Sequence, residues 1–256
     1  VSPGVVKIPV VGMEVQRLAL QFARPSAYPY VRFDISGIEN IPTEGPVILC
    51  ANHRSYFDVS AMSIAIGKSG RTARFLGKKE VFDAPIVGQI AAAMGGIRVD
   101  RGTGSDEPMK AAIEALNGGE MVSIMPQGTI PRGPAFFEPQ LKGRWGAAQL
   151  AHDTGATVIP IGLWGTEKVW PRSSRMPKVL NLTDPPTVRI RVGEPVDLKG
   201  KAVEADTKRI MKAIMAELPD EASETKSPTP DELALTYPPG YSSDPTDESD
   251  RRPGVD

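Results

Sequence analysis

His53 is followed five residues later by Asp58 in the run Asn52-His53-Arg54-Ser55-Tyr56-Phe57-Asp58. An imidazole oriented by a carboxylate through one ring nitrogen can take a proton with the other, which suits activation of a hydroxyl nucleophile. The chain has two histidines, so few positions could do this chemistry. A structural role fits the same spacing, because an aspartate in the first turn of a helix is stabilised by the helix dipole. His152, beside Asp153 in a helical stretch, reads as structural or exposed.

Two further polar clusters follow apolar runs. One is Gly95-Gly96-Ile97-Arg98-Val99-Asp100-Arg101, and the other is Met125-Pro126-Gln127-Gly128-Thr129-Ile130-Pro131-Arg132. A guanidinium can bind a phosphate bidentately, so Arg101 is a candidate phosphate ligand, or else a surface partner of Asp100 or Asp106. Gly128 lets the backbone approach a ligand closely, or simply closes a turn. Lys79 adds positive charge near a phosphate, or sits on a solvated face. No metal-ligand spacing, phosphate-cradling Walker loop or Gly-x-Gly-x-x-Gly run is present, so neither a metal ion nor a cofactor is expected.

The elements that must position these residues follow from periodicity. Val47-Ile48-Leu49-Cys50-Ala51 is too short and too apolar for anything but a buried strand, bounded by Gly45-Pro46, and residues 55–66 continue as a helix. Further strands are predicted at 30–36, 73–77, 97–99, 121–125, 158–164 and 187–192, and helices at 87–93, 107–117, 141–154 and 203–218. Strands alternating with short helices argue for an α/β fold: a mixed, largely parallel central sheet flanked by helices on both faces. In such sheets ligands bind beyond the carboxyl ends of the strands, so the three clusters are expected to converge on one pocket.

Residues 1–29 precede this domain and contain a predicted amphipathic helix at 13–23, with Val15, Leu18, Ala19 and Phe22 near one face. It either packs on the body or associates with a membrane. The domain expected to carry the three clusters spans 30–218. Residues 219–256 form an acidic, Pro-rich segment expected to be flexible, although 233–237 carries apolar residues that could dock.

The chain has 256 residues and a net charge of −1, with ten acidic and three basic residues in 219–256. The other 218 residues therefore carry +6, which suits an anionic substrate or membrane surface. Nothing in the sequence matches a nucleic-acid-binding motif, and no nucleic-acid partner is expected. The single cysteine, Cys50, excludes an internal disulfide and reads as a small core residue. No apolar stretch reaches the roughly 18 residues of a spanning helix. A protein at the cytoplasmic face of the cell membrane, peripheral or monotopic, is expected.

The three clusters, together with Val158-Ile159-Pro160-Ile161-Gly162, resemble in order and spacing the motifs of the glycerophospholipid acyltransferase family, over roughly residues 31–195. That family includes the 1-acyl-glycerol-3-phosphate acyltransferases. The resemblance implies a His-x4-Asp catalytic motif at His53 and Asp58, and acceptor-phosphate binding at Arg101. Its third motif, usually Pro-Glu-Gly-Thr-Arg-Ser, corresponds to Pro126-Gln127-Gly128-Thr129, with Ile130-Pro131 where Arg-Ser is expected and Arg132 two residues later. Gln127, Gly128, Thr129 and Arg132, with Lys79, complete the expected substrate site. The expected reaction is transfer of a fatty acyl group from acyl-CoA or an acyl carrier protein to 1-acyl-glycerol-3-phosphate or a related lysophospholipid, in phospholipid biosynthesis. The departures in the third motif leave room for a larger headgroup. Two other readings are a membrane-surface lipid-binding protein without turnover, for which Gln127 would be the sign, and a hydrolase, against which stands the lack of a Gly-x-Ser-x-Gly elbow.

Overall fold

The computed structural model describes residues 10–85, 87–100 and 106–241. The strands are β1 (Arg32–Ser36), β2 (Val47–Ala51), β3 (Ala73–Lys78), β4 (Ile97–Val99), β5 (Met121–Ile124), β6 (Thr157–Trp164) and β7 (Thr187–Val192). The helices are α1 (Val10–Phe22), α2 (Asp58–Lys68), α3 (Lys79–Asp83), α4 (Val87–Ala93), α5 (Glu107–Asn117), α6 (Gly146–Thr154), α7 (Thr166–Val169), α8 (Val203–Ala216) and α9 (Pro230–Ala234).

The strands form one sheet in the order β1-β7-β6-β2-β5-β3-β4. Strands β6, β2, β5, β3 and β4 run parallel, and β7 turns antiparallel against β6 with β1 parallel beside it. The mixed, largely parallel sheet expected from the sequence is present. Strand β2 lies at its centre and is fully buried, which is why it reads as an unbroken apolar run rather than an alternation. Val47, Leu49 and Ala51 face a core shared with Ala61, Met62 and Ala65 of α2 and Leu20 of α1. Ile48 and Cys50 face the opposite core, with Ala112 and Leu116 of α5, Leu150 of α6 and Ile210 of α8. Burial pushes the Cys50 thiol pKa up, so it stays an inert core group.

Helix α1 is anchored by a polar side chain. Buried Gln16 donates to the Ala73 carbonyl (2.6 Å) and accepts from the Ala73 amide (3.0 Å), so it satisfies the backbone where β3 begins. Gly67 has no Cβ to hold off the Leu20 carbonyl, which would lie 3.0 Å from one. The apolar face read from the sequence is therefore turned outward: Val15, Leu18 and Phe22 are exposed, and Leu20 is the buried apolar contact.

The segment after 218 departs from the expected flexible tail as far as Tyr241. Helix α9 has a capping box, in which Thr229 and Glu232 satisfy each other's backbone amides. Leu233, Thr236 and Tyr237 are buried, and the Thr236 hydroxyl accepts from the Gly133 amide at 2.8 Å. A dozen polar residues without a core of their own are ordered by borrowing that of the domain.

His152 is a brace. Its Nε2 lies 2.8 Å from Asp206 Oδ2, joining α6 to α8, and Asp206 also accepts from the Lys199 and Gly200 amides and from Arg209. Burial opposes ionisation of Asp206, but these donors outweigh it and hold the carboxyl well below the ordinary carboxylate range. A depressed folded-state pKa contributes stability above the unfolded pKa and loses it as pH falls towards the folded one. Asp206→Asn should cost about 3 kcal/mol at neutral pH in urea unfolding. The gap to wild type should narrow as pH drops below the unperturbed value of 3.8. A variant as stable as wild type at pH 7 would remove the brace from the argument.

Candidate active site

The chain leaves β2 at the carboxyl edge of the sheet, and each residue of 52–58 is fixed there by a separate contact. Asn52 mimics a strand residue, with its amide donating to the Leu163 carbonyl (2.8 Å) and accepting from the Leu163 N–H (2.7 Å) on β6. The His53 N–H donates to Gln127 Oε1 at 2.7 Å. The Arg54 guanidinium meets both carboxylate oxygens of Glu167 (3.2 and 3.3 Å) and lies between the rings of Phe136 and Trp164, 4.3 and 4.2 Å from their centres. The Ser55 hydroxyl donates to the Trp170 carbonyl (2.6 Å) and accepts from the Phe57 N–H (2.9 Å). Phe57 is buried among Tyr28 and Phe33.

Asp58 organises this loop from the first residue of α2. It is fully buried, and its Oδ2 accepts from the Arg54 N–H (2.7 Å) and the Ser55 N–H (2.8 Å) and lies 2.7 Å from His53 Nδ1. Such a carboxylate holds the proton on Nδ1, which leaves the Nε2 lone pair for a substrate. The His53 side chain keeps 18% of its surface exposed, so that nitrogen can be reached. The helix begins at Asp58 rather than 55, and the amides of Arg54 and Ser55 that precede it are satisfied by the Asp58 carboxylate.

The third cluster forms the facing wall. Gly128 has a left-handed backbone (φ +72°), and its N–H closes a turn on the Met125 carbonyl at 2.8 Å. That N–H is therefore already bonded within the turn. Gln127 is buried and holds the His53 backbone. The Thr129 hydroxyl is 3.3 Å from Lys78 Nζ. Lys78, not Lys79, is thus the lysine brought to this turn. Lys79 begins α3, where it pairs with Asp83 (3.5 Å) on the surface, and Asp83 also pairs with Arg98. The one-residue difference arises because β3 continues to Lys78, whereas Lys79 already opens α3. Arg132 lies with its guanidinium 5.8 Å from the Tyr241 ring, tied to the docked C-terminal segment. Arg172, which no sequence signal marked, is buried and donates to the Ile130 carbonyl at 2.5 Å. Arg101 lies outside the described residues. The structure thus joins His53, Asp58, Gln127, Gly128 and Thr129 in one place. Among the described residues no group of three or more His, Cys, Asp or Glu side chains could hold a metal ion.

A sequence model of the acyltransferases matches residues 32–164, just over half of the chain, from β1 to the end of β6. The chain belongs to the acyltransferase family. It is 30% identical over 182 residues to a chloroplast 1-acyl-sn-glycerol-3-phosphate acyltransferase of Brassica napus, covering 70% of this chain and 49% of that one. It is 31% identical over 160 residues to a chloroplast enzyme of the same name from Arabidopsis thaliana, covering 61% and 43%. The chain therefore spans about half the length of the curated relatives it matches. Among solved structures, the 1-acyl-sn-glycerophosphate acyltransferase PlsC of Thermotoga maritima shares the fold with a TM-score of 0.55 at 23% identity, covering 80% of this chain and 81% of that one. The matched family region contains every residue of the 52–58 loop and the 125–132 turn.

The two His–Asp pairs of this acyltransferase use opposite ring nitrogens, Nδ1 in His53 and Nε2 in His152. Nitrogen-detected NMR of the neutral imidazoles should show one Nδ1–H and one Nε2–H tautomer. Asp58→Ala should move the first to the commoner Nε2–H form and leave the second unchanged. Two Nε2–H signals in wild type would mean that Asp58 does not orient His53.

Proposed function

We propose that this acyltransferase moves a fatty acyl group from a thioester to a hydroxyl of 1-acyl-glycerol-3-phosphate or a related lysophospholipid. The observation that carries the reading is the buried Asp58 carboxylate at 2.7 Å from His53 Nδ1, at the carboxyl end of the central strand. His53 Nε2 takes the proton of the acceptor hydroxyl as its oxygen attacks the thioester carbonyl. The tetrahedral oxyanion collapses, the carbon–sulfur bond breaks, and the imidazolium returns its proton to the leaving thiolate. Asp58 stabilises the imidazolium between these steps. Base catalysis of this kind contributes about 10²–10⁴-fold. The acceptor phosphate is assigned to Lys78 beside Thr129 and to Arg132, together with Arg101, which the family resemblance implies. No metal ion or cofactor enters the step as written, since the thioester already activates the carbonyl.

The lipid acceptor favours a protein that lies on a membrane, with its active site at the cytoplasmic face. No described helix is long and apolar enough to cross one. Two exposed apolar surfaces support peripheral attachment: Val15, Leu18 and Phe22 on α1, and Met176, Val179, Leu180 and Leu182 between α7 and β7. The latter segment is joined to the catalytic loop through the Ser55–Trp170 hydrogen bond, and Lys178 and Arg175 beside it are exposed cations suited to anionic headgroups.

Thiol release from palmitoyl-CoA should depend on one member of a lysophospholipid panel and fall by about 10³-fold in His53→Ala. Release that persists in the variant would exclude His53 as the base, and release without acceptor would make the protein a thioesterase. Replacing Leu18 and Phe22 together by Asp should lower co-sedimentation with anionic vesicles at least about tenfold, given about 1.5–3 kcal/mol for each large apolar side chain buried. Unchanged sedimentation would place the contact elsewhere.

A further inference from the structure

A groove of about 900 Å³ lies between residues 139–145 and α8, outside the 52–58 loop. Its floor is apolar. Gly143 packs so closely on α8 that a Cβ would lie 2.5 Å from Met211 Sδ, so the 139–145 backbone itself forms one wall. Its rim is cationic, with Lys142, Arg144, Lys208 and Lys212 against the single acid Glu204. Lys208 and Lys212 stand one turn apart on α8, where like charges repel and slightly destabilise a helix. Among the described residues neither these two nor Lys142 makes an ion pair. Arg144 Nε is buried and meets no acceptor among the described residues. Trp145 is 59% exposed at the same rim. A predicted helix over 141–154 begins only at Gly146, so 141–145 is free to wall the groove.

The groove is tied to the catalytic loop. The Arg144 N–H donates to the Pro126 carbonyl at 2.9 Å, and the next residue, Gln127, accepts from the His53 N–H at 2.7 Å. Two hydrogen bonds and two residues therefore separate the groove wall from the catalytic histidine, a span of no more than about 13 Å. Phe136, which precedes that segment in the chain, stacks on Arg54.

Resting on the acyl-transfer reading, the geometry points to this groove as the seat of the nucleotide end of coenzyme A. Its diphosphate and 3′-phosphate meet the four cations, and adenine has the exposed Trp145 ring to stack on. The pantetheine arm, longer in its extended form than the span just given, then reaches His53 with the thioester. The volume lies within the roughly 300–1,000 Å³ of small-ligand sites, whereas a protein donor would need about 800 Å² of matched surface. The site selects acyl-CoA over acyl carrier protein, which lacks the nucleotide.

The test is calorimetric titration of adenosine 3′,5′-bisphosphate and of free coenzyme A into the full chain. The variants are Lys208→Glu with Lys212→Glu, and Lys68→Glu at the far end of α2 as a charge control. Circular dichroism shows whether each is folded. Wild type and the control should bind, more weakly as salt rises, and the double variant should bind at least tenfold more weakly. In turnover, the double variant should raise KM for palmitoyl-CoA at least tenfold without raising KM for the lysophospholipid. Failure of wild type to bind the bisphosphate, or equal binding by the folded double variant, would overturn the assignment. So would turnover with acyl carrier protein thioester but not with acyl-CoA. Binding is read without turnover, so nucleotide binding in a protein that transfers no acyl group would keep the site and sink the acyl-transfer reading.

Discussion

A single carboxylate oxygen, Asp58 Oδ2, determines the shape of the loop between β2 and α2. A buried carboxylate is costly unless donors surround it, and here two backbone amides and one imidazole nitrogen converge on that oxygen from residues 53, 54 and 55. The start of α2 adds the favourable end of its dipole. Meeting this charge forces the chain to curl back between β2 and α2. That curl turns the side chain of Arg54 to Glu167, Ser55 to Trp170 and Phe57 into the aromatic cluster. The His53–Asp58 geometry and the local fold are thus one arrangement: whatever unseats Asp58 loosens both.

The sheet explains why the partners of this loop come from distant parts of the chain. Strand β2 has β5 on one side and β6 on the other, both parallel to it. Three carboxyl ends therefore emerge together. From β5 comes the turn with Gln127, from β6 come Leu163 and Trp164, and β3, next to β5, delivers Lys78. Parallel pairing needs a crossover for each step, and the helices that provide it bury both faces of β2. The result is a rigid platform with short loops at one edge, where small displacements of the reacting groups are resisted by packing rather than by the loops themselves.

Much of this was legible in the sequence, and the failures share a physical cause. The central strand, the alternation of elements and the His53–Asp58 pair follow from apolar runs and side-chain chemistry within a few residues. Contacts made across the fold were not legible. The start of α2 is later than its apolar pattern suggests, and the residues before it hold contacts to distant elements such as Glu167 and Trp170. Lys78 replaces Lys79 because β3 runs one residue further and Lys79 belongs to α3. The face of α1 is inverted because a buried glutamine finds the backbone of Ala73, 57 residues away. Residues 229–241 look too polar to order themselves, and are ordered by Gly133 and its neighbours. Arg172 and Trp145 carry no local signal at all.

The third cluster shows how a changed motif can keep its geometry while changing its electrostatics. Gln127 supplies the His53 amide with a carbonyl oxygen where a glutamate would offer a carboxylate oxygen, so the contact is kept without the charge that would strengthen it. What disappears is a negative charge beside Lys78 and the turn at Thr129. In a partly desolvated site a removed anion strengthens the field of the cations that remain. The loop that follows is then braced differently: Ile130 is buried, its carbonyl is held by Arg172, Gly133 is held by Thr236, and Arg132 lies against Tyr241. The bracing contacts come from residues 42 and 103 positions downstream. The wall that faces His53 is therefore coupled to the docking of the C-terminal segment, and its field is more positive than a glutamate at position 127 would leave it.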